Sequence, residues 1–222
     1  MPLTLVLGNK NYSSWSMRPY LALAHHKMPF KEVVIPLYQP ESPQRIREYS
    51  PAGKVPVLID GKTTVWDSLA IIEYLSERFP KLGLWPKEAQ ARAHARAISA
   101  EMHAGFPNLR RHCPMNLKLH VKRWALTPEV EGEVARITEI WRNARARYAS
   151  GGDFLFGAFT AADCMYAPVA SRIRTYEIPV DKSAAGYVEV IHALPAFKAW
   201  RDAALQEPWA LAQYDLDALP AA

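Results

Sequence analysis

The chain has 222 residues and a formal net charge of +5, and half of its residues are hydrophobic, which is ordinary for a globular protein of one large or two small domains. Its apolar runs stay short of the ~18 residues of a transmembrane helix, so we expect no membrane association. Two cysteines, Cys113 and Cys164, are too few for a disulfide-rich secreted scaffold.

The N-terminal segment carries no signal for export. It lacks a basic segment, and its apolar stretch, Leu3–Leu7, is too short for a signal peptide, so we expect a cytoplasmic protein. The sequence contains no Cys-x-x-Cys and no cluster with the spacing of metal ligands, so we also expect no metal.

The first 80 residues alternate between strand and helix patterns. The predicted strands are Leu3–Leu7, Phe30–Pro36, Val55–Asp60 and Thr63–Trp66, and the last two are joined by the hairpin turn Asp60-Gly61. Helices are expected from Ser13, over Ser42–Tyr49, and from Asp67 to the residue before Pro80. The order is therefore β-α-β-α-β-β-α.

After this region the chain reads as helix only. Residues 81–87, with Gly83 and Pro86, look like a linker, and residues 88–222 are expected to form an all-helical domain. The predicted helices are Glu88–His112, Pro128–Tyr148, Thr160–Tyr176, Lys182–Ala193 and Pro195–Gln206. Thr160 and Asp163 form a capping box at the start of the third of these.

One stretch of the helical region is strongly basic. Residues 102–128 contain no acidic residue but hold Arg110, Arg111, Lys118, Lys122 and Arg123, which together equal the net charge of the chain. This pattern is compatible with a nucleic-acid patch, a pocket wall that attracts a small anion, or a solvated helix face.

Three motifs of the first region could carry chemistry. The segment Asn11–Pro19 places serines at a helix N-terminus, where they either cap the helix or stabilise an anion such as a thiolate. Val55-Pro56 opens a strand, and a cis bond there would leave the Val55 backbone free to pair with an extended peptide. Asp67-Ser68 opens a helix and suits the head group of an α-amino acid, although such pairs also serve only as N-caps.

In this order the motifs, with the capping box, resemble the glutathione transferase superfamily over nearly the whole chain. The resemblance implies a thioredoxin-like α/β domain (residues 1–80), a linker (81–87) and an all-α domain that holds the electrophile site (88–222). The run Ser13-Ser14-Trp15-Ser16 and the segment Asp67–Leu75 are most similar to the zeta class, which includes maleylacetoacetate isomerases. Trp15 departs from that class, because it replaces the cysteine of the Ser-Ser-Cys-Ser motif.

The resemblance also implies roles for individual residues. Ser13 would stabilise the glutathione thiolate, with Ser14 as a close contender and Tyr12 as a further alternative. The glutathione-binding set is Trp15, Lys54, Val55, Pro56, Asp67 and Ser68, in which Val55 pairs with the cysteinyl backbone, Pro56 is cis, Asp67 and Ser68 hold the γ-glutamyl end, and Lys54 reaches the glycyl carboxylate. The substrate-binding set is Tyr12, His103, Phe106, Arg110, Arg111 and Arg174, and it extends to Trp15, Arg172 and Tyr176.

The function that follows is attack of bound glutathione on a small electrophilic, anionic substrate. Glutathione-dependent cis-trans isomerisation of the maleylacetoacetate type and glutathione binding without turnover remain alternatives. A disulfide reductase is disfavoured, since no cysteine precedes Cys113. The resemblance implies a homodimer, and we expect no nucleic-acid partner.

Overall fold

A computed structural model describes residues 2–122 and 124–214 of the chain. Four strands, β1 (Leu3–Leu7), β2 (Phe30–Val34), β3 (Val57–Asp60) and β4 (Thr63–Trp66), form one sheet in the order β2-β1-β3-β4. Strand β1 is parallel to β2, whereas β3 is antiparallel to both of its neighbours. The helices of the described residues are α1 (Ser14–His25), α2 (Ser42–Arg47), α3 (Ser68–Arg78), α4 (Ala89–Ala104), α5 (Pro107–His112), α6 (Pro128–Tyr148), α7 (Ala161–Thr175), α8 (Lys182–Ala193) and α9 (Pro195–Leu205).

Strand β1 separates two apolar layers. Because successive side chains of a strand point to opposite faces, Leu5 and Leu7 pack into the large core with α1 and α3, while Val6 packs with Ile46 of α2. The sheet is thus covered on both faces, as the α/β fold class predicted from the sequence requires. This thioredoxin-like part followed by helices confirms the expected fold.

Helix α7 joins the two parts of the molecule. It packs against α1 of the first part and against α4 and α8 of the helical part. Nearly all of its residues are buried, so one continuous apolar core runs from the sheet through α7 to Trp200 of α9. No helix within the described ranges is long and apolar enough to cross a membrane.

Most predicted elements agree with the structure, and helices α6 and α8 have the predicted bounds. The prediction of one helix over Glu88–His112 is wrong, because α4 ends at Ala104 and α5 begins at Pro107. Pro107 has no amide hydrogen to continue α4, and Phe106 adopts a left-handed φ of 60°. The last eight residues of the predicted helical domain, 215–222, and Arg123 lie outside the described residues.

Candidate functional site

A cavity of 1020 Å³ lies between the two parts of the molecule. It is bordered by the N-terminal ends of α1 and α3, by the segment before β3, and by α4, α5 and α7. Most of the residues that the sequence singled out reach it: Tyr12, Ser13, Ser14, Trp15, Lys54, Val55, Pro56, Asp67, Ser68, His103, Arg110 and Arg172.

The structure does not bring four other candidates to this cavity. Phe106 is buried in the core, where it makes the turn between α4 and α5. Arg111 is exposed, and Arg174 forms an ion pair of 2.5 Å with Glu189. Tyr176 is buried and donates its hydroxyl to the carbonyl of Pro114.

The two serines before and at the start of α1 differ in their contacts. Ser13 is the N-cap: its Oγ accepts from the Ser16 amide at 3.3 Å and donates to Ser16 Oγ at 2.8 Å. Ser14, the first residue of α1, has a hydroxyl with no hydrogen-bond partner in the described part of the chain, and it faces the cavity. The hydroxyl of Ser13 is therefore engaged, whereas that of Ser14 is free.

Tyr12 is tied to the C-terminal segment. Its hydroxyl accepts from the Leu211 amide at 3.1 Å, and its ring lies 5.8 Å from that of Tyr214. Tyr214 also lines the cavity, and its hydroxyl is 3.1 Å from that of Tyr38, so these three tyrosines form one end of the cavity wall.

The segment before β3 presents free backbone groups to the cavity. The Val55-Pro56 peptide bond is cis, as the resemblance to the family implied. The N–H and C=O of Val55 form no hydrogen bond with any described residue, because the pairing of β3 with β4 begins only at Val57. Val55 can thus pair with the backbone of a bound peptide. Lys54, beside it, has an exposed side chain.

The start of α3 combines an N-cap with a contact to His103. Asp67, with a φ of 76°, accepts from the Leu69 and Ala70 amides at 2.9 and 3.2 Å, and its other carboxylate oxygen lies 3.3 Å from His103 Nε2. Ser68 has no exposed surface, and its Oγ accepts from Arg18 Nη1 at 3.3 Å.

Three guanidinium groups gather behind this end of the cavity. Arg18 and Arg110 both contact the Trp15 ring, at 4.3 and 5.0 Å from its centroid. The His103 ring is nearly perpendicular to it, with 5.1 Å between the two ring centroids. Arg172 is buried and donates to the carbonyls of Cys113 and Pro168 (2.8 and 3.0 Å).

The positive charge of this cluster exceeds its counter-charge. Arg18 Nε and Nη2 and Arg110 Nη1 are buried without a hydrogen-bond partner in the ranges described. Burial, with the charges of Arg110 and Arg172, lowers the pKa of Arg18 well below its usual value. Burial likewise lowers the pKa of Arg110, and that of Arg172 to about 10. Such a cluster favours a bound anion.

Arg18 was missed as a site residue by sequence reasoning. It lies one helical turn after Ser14, so its spacing places it on the face of α1 that carries Ser14. That spacing was a usable signal. The burial of Arg18 against helices that are distant in the sequence was not visible in it.

The basic stretch 102–128 does not form one surface. Arg110 turns to the cavity, where it donates to the carbonyls of Met102, His103 and Gly105 at the end of α4. Lys118 Nζ donates to the Glu207 carbonyl, whereas Arg111 and Lys122 are exposed. Of the three interpretations, the pocket wall applies to Arg110. Within the described ranges, no group of three or more His, Cys, Asp or Glu side chains could hold a metal ion.

Comparison with known families places both parts of the chain. Residues 12–78 match the model of the glutathione S-transferase N-terminal domain, and residues 127–203 match that of the C-terminal domain. Together the two matches cover more than half of the chain.

Individual relatives agree with these matches. A probable maleylacetoacetate isomerase of Caenorhabditis elegans is 39% identical over 97 residues, which are 44% of this chain and 45% of the relative, so the match spans under half of that curated relative. Glutathione S-transferase Z1 of Arabidopsis thaliana is 27% identical over 85% of this chain and 89% of its own length. A glutathione transferase homolog from Burkholderia gl BGR1, solved with bound glutathione, shares the fold with a TM-score of 0.70, 22% identity, and coverage of 93% of this chain and 99% of that one.

The unpaired charge of Arg18 leads to a stability prediction. Replacing a buried, poorly paired ion by an apolar side chain of similar volume is often stabilising, so Arg18→Met should raise the free energy of unfolding of the ligand-free protein by roughly 1–2 kcal/mol. Urea denaturation measures this change. The partly exposed Arg201, which pairs with Asp202, provides the control: Arg201→Met should change stability by less than about 0.5 kcal/mol. A loss of stability in Arg18→Met would show that the guanidinium is compensated in the ligand-free protein.

Proposed function

Because the chain belongs to the glutathione S-transferase family, we propose that it is a glutathione transferase that binds glutathione in the cavity between its two parts. Glutathione supplies a thiolate nucleophile, which is directed at an electrophilic carbon of a second substrate. One observation carries the proposal: the same cavity is bordered by a free Ser14 hydroxyl at the N-terminus of α1 and by the unpaired backbone of Val55.

The residues around the cavity match the chemical groups of glutathione. The N–H and C=O of Val55 are free to pair with the cysteinyl residue as an added strand. Asp67 can accept from the γ-glutamyl ammonium, and the exposed Lys54 suits the glycyl carboxylate. Ser68 keeps its place at the first turn of α3, but its side chain has no exposed surface, so the ligand has to displace neighbouring side chains to reach it.

We propose Ser14 as the group that stabilises the thiolate, although the sequence alone favoured Ser13. The hydroxyl hydrogen of Ser13 is directed to Ser16, and the hydroxyl of Tyr12 accepts a bond from Leu211. Of these three hydroxyls, that of Ser14 is the one with no hydrogen bond to a described residue. The Tyr12 hydroxyl still has its hydrogen to donate, but Ser14 lies in the first turn of α1, where the N-terminal end of the helix favours negative charge. A hydrogen bond to the charged form lowers the pKa of a thiol.

The second substrate is proposed to carry an anionic group. Arg110 and Arg172 line the cavity beside Trp15, and these cations would bind a carboxylate at the end opposite Lys54. A cis-trans isomerase of the maleylacetoacetate type is the second candidate, since it requires the same thiolate and an acidic substrate. The name of the nematode relative supports it. A homodimer and a cytoplasmic location remain parts of the proposal that rest on the resemblance to the family.

Removing the Ser14 hydroxyl tests the assignment of the thiolate donor. We expect Ser14→Ala to lower kcat about 10²-fold or more and to raise the pKa of bound glutathione, because the thiolate loses its hydrogen-bond donor. Ultraviolet absorbance of the bound thiolate as a function of pH measures this pKa.

Ser13→Ala is the matched control. It should reduce the free energy of unfolding by about 1 kcal/mol through loss of the N-cap and leave the pKa of bound glutathione nearly unchanged. The opposite pattern, in which only Ser13→Ala shifts this pKa, would assign the role to Ser13. Binding of glutathione without turnover of any electrophile would identify a non-catalytic member of the family.

The anionic substrate is tested on Arg172. Arg172→Gln should lower kcat/KM for a carboxylated electrophile by about tenfold or more while changing that for a neutral electrophile by less than about threefold, because only the former loses a charge-assisted hydrogen bond. Arg174→Gln, on the same helix but paired with Glu189 outside the cavity, should affect neither substrate. Equal losses for both electrophiles would contradict an anion-binding role. Including a maleyl-type acid in the panel separates isomerisation from conjugation by its product.

A further inference from the structure

The loop that leads into α1, residues 8–13, is buried throughout. It is a tight turn in which the amides of Tyr12 and Ser13 both donate to the carbonyl of Asn9, at 3.2 and 2.8 Å. The position of Ser14 at the start of α1 therefore depends on how the backbone of Asn9 to Asn11 is held.

That backbone is held by a carboxylate from the far end of the chain. Glu207, two residues after α9, accepts the Lys10 amide on Oε1 at 2.7 Å and the Asn11 amide on Oε2 at 3.0 Å. Two adjacent amides on the two oxygens of one buried carboxylate fix the direction of both peptide planes. Hydrogen bonds from a backbone amide to a charged acceptor are stronger than those to a neutral one.

Glu207 is itself fixed in place and electrically balanced. Lys118 Nζ donates to the backbone carbonyl of Glu207. Trp200 Nε1 of α9 donates to the Lys10 carbonyl at 2.9 Å, so the peptide unit between Lys10 and Asn11 is hydrogen-bonded at its C=O by Trp200 and at its N–H by Glu207. Lys10 Nζ pairs with Glu32 at 2.5 Å. Burial raises the pKa of Glu207, while the amides of Asn11 and Lys10 and the two lysines act in the opposite direction.

Other contacts of the loop involve side chains. Asn11 Oδ1 accepts from the Leu117 and Lys118 amides, and Asn9 Oδ1 accepts from the Leu37 amide at 2.7 Å. These contacts hold the edges of the loop. Among the described residues, Glu207 is the one carboxylate bonded to the loop amides, and it acts directly on the peptide units two and three residues before Ser13.

We propose that Glu207 is a positioning residue for catalysis, which holds the β1–α1 loop so that the Ser14 hydroxyl meets the thiol of glutathione. This inference rests on the proposed function. Glu207 does not line the cavity and does not touch the substrates; it acts through the peptide groups of Lys10 and Asn11. The helical part of the chain thus contributes to thiolate formation as well as to the electrophile pocket.

The substitution Glu207→Gln tests the proposal with little change in volume. The amide keeps one oxygen for one loop N–H but turns an NH₂ group toward the other, so the loop loses a charged acceptor and shifts. We expect the fraction of bound glutathione that is thiolate at pH 7 to fall about threefold or more, and kcat to fall about tenfold, because small displacements of a catalytic group are costly.

The affinity for S-methylglutathione separates positioning from general damage. This analogue has no thiol, and its proposed contacts at Val55, Asp67 and Lys54 lie away from Glu207, so its Kd should change by less than about twofold. Glu189→Gln, which removes a surface carboxylate of α8, is the matched control and should leave both quantities unchanged. If Glu207→Gln does not fold, Glu207→Asp shortens the same carboxylate and should produce the same split.

The outcomes distinguish a failure of the positioning role of Glu207 from a failure of the proposed function. An unchanged thiolate fraction in a folded Glu207 variant overturns the positioning role while leaving the proposed function in place. A parallel loss of S-methylglutathione affinity and thiolate shows a merely structural role and also overturns it. If the unsubstituted protein binds neither glutathione nor S-methylglutathione, the proposed function fails, and the role of Glu207 in it fails as well.

Discussion

A buried carboxylate fixes the start of α7, the helix that joins the two parts of the molecule. Asp163 has no exposed surface and accepts four hydrogen bonds, from the Leu155 amide, the Thr160 amide and hydroxyl, and the Tyr187 hydroxyl, at 2.8–3.1 Å. Burial raises the pKa of Asp163 to about 6, and the four donors oppose this rise. Because α7 packs against α1, α4 and α8, the direction in which Asp163 starts this helix bears on how the two parts of the molecule pack together.

The buried arginines beside the cavity carry more positive charge than the neighbouring carboxylates balance. Arg18 is fully buried, and two of its nitrogens have no partner among the described residues. Asp67, the carboxylate whose charge acts on Arg18, is already engaged by two amides of α3 and by His103. A buried cation of this kind lowers the stability of the ligand-free protein, and an anion bound in the cavity would offset the loss. Local conflict between stability and electrostatics is expected where a protein binds a charged ligand.

The sequence predicted the order of strands and helices along the first 80 residues and most later helices, because the signals for these elements are local. Helix α6 begins at Pro128 after the Thr127 cap, and α8 begins after the cap Asp181, so the start of each helix has a local signal in the sequence. The break between α4 and α5 was missed because the helical pattern continues past Gly105 and the single Pro107, which could also have been read as a kink.

The sequence predicted the site residues whose position is fixed by a short local motif. It did not predict those whose position depends on tertiary packing. Val55 and Asp67 reach the cavity because their turns place them there. Arg174 and Arg111 do not, because periodicity shows that a residue lies on a helix but not which face of that helix borders the cavity. The choice between Ser13 and Ser14 depends on which of the two hydroxyls caps α1. The sequence does not decide this, because either of two adjacent serines can be the cap.

The central claim is that the free hydroxyl of Ser14 receives the thiol of glutathione in the cavity between the two parts. A crystal structure of the complex with glutathione tests it most directly. We expect the sulfur atom within hydrogen-bond distance of Ser14 Oγ and the cysteinyl backbone paired with the N–H and C=O of Val55. Glutathione with its sulfur on Ser13 or Tyr12, or bound outside this cavity, would contradict it.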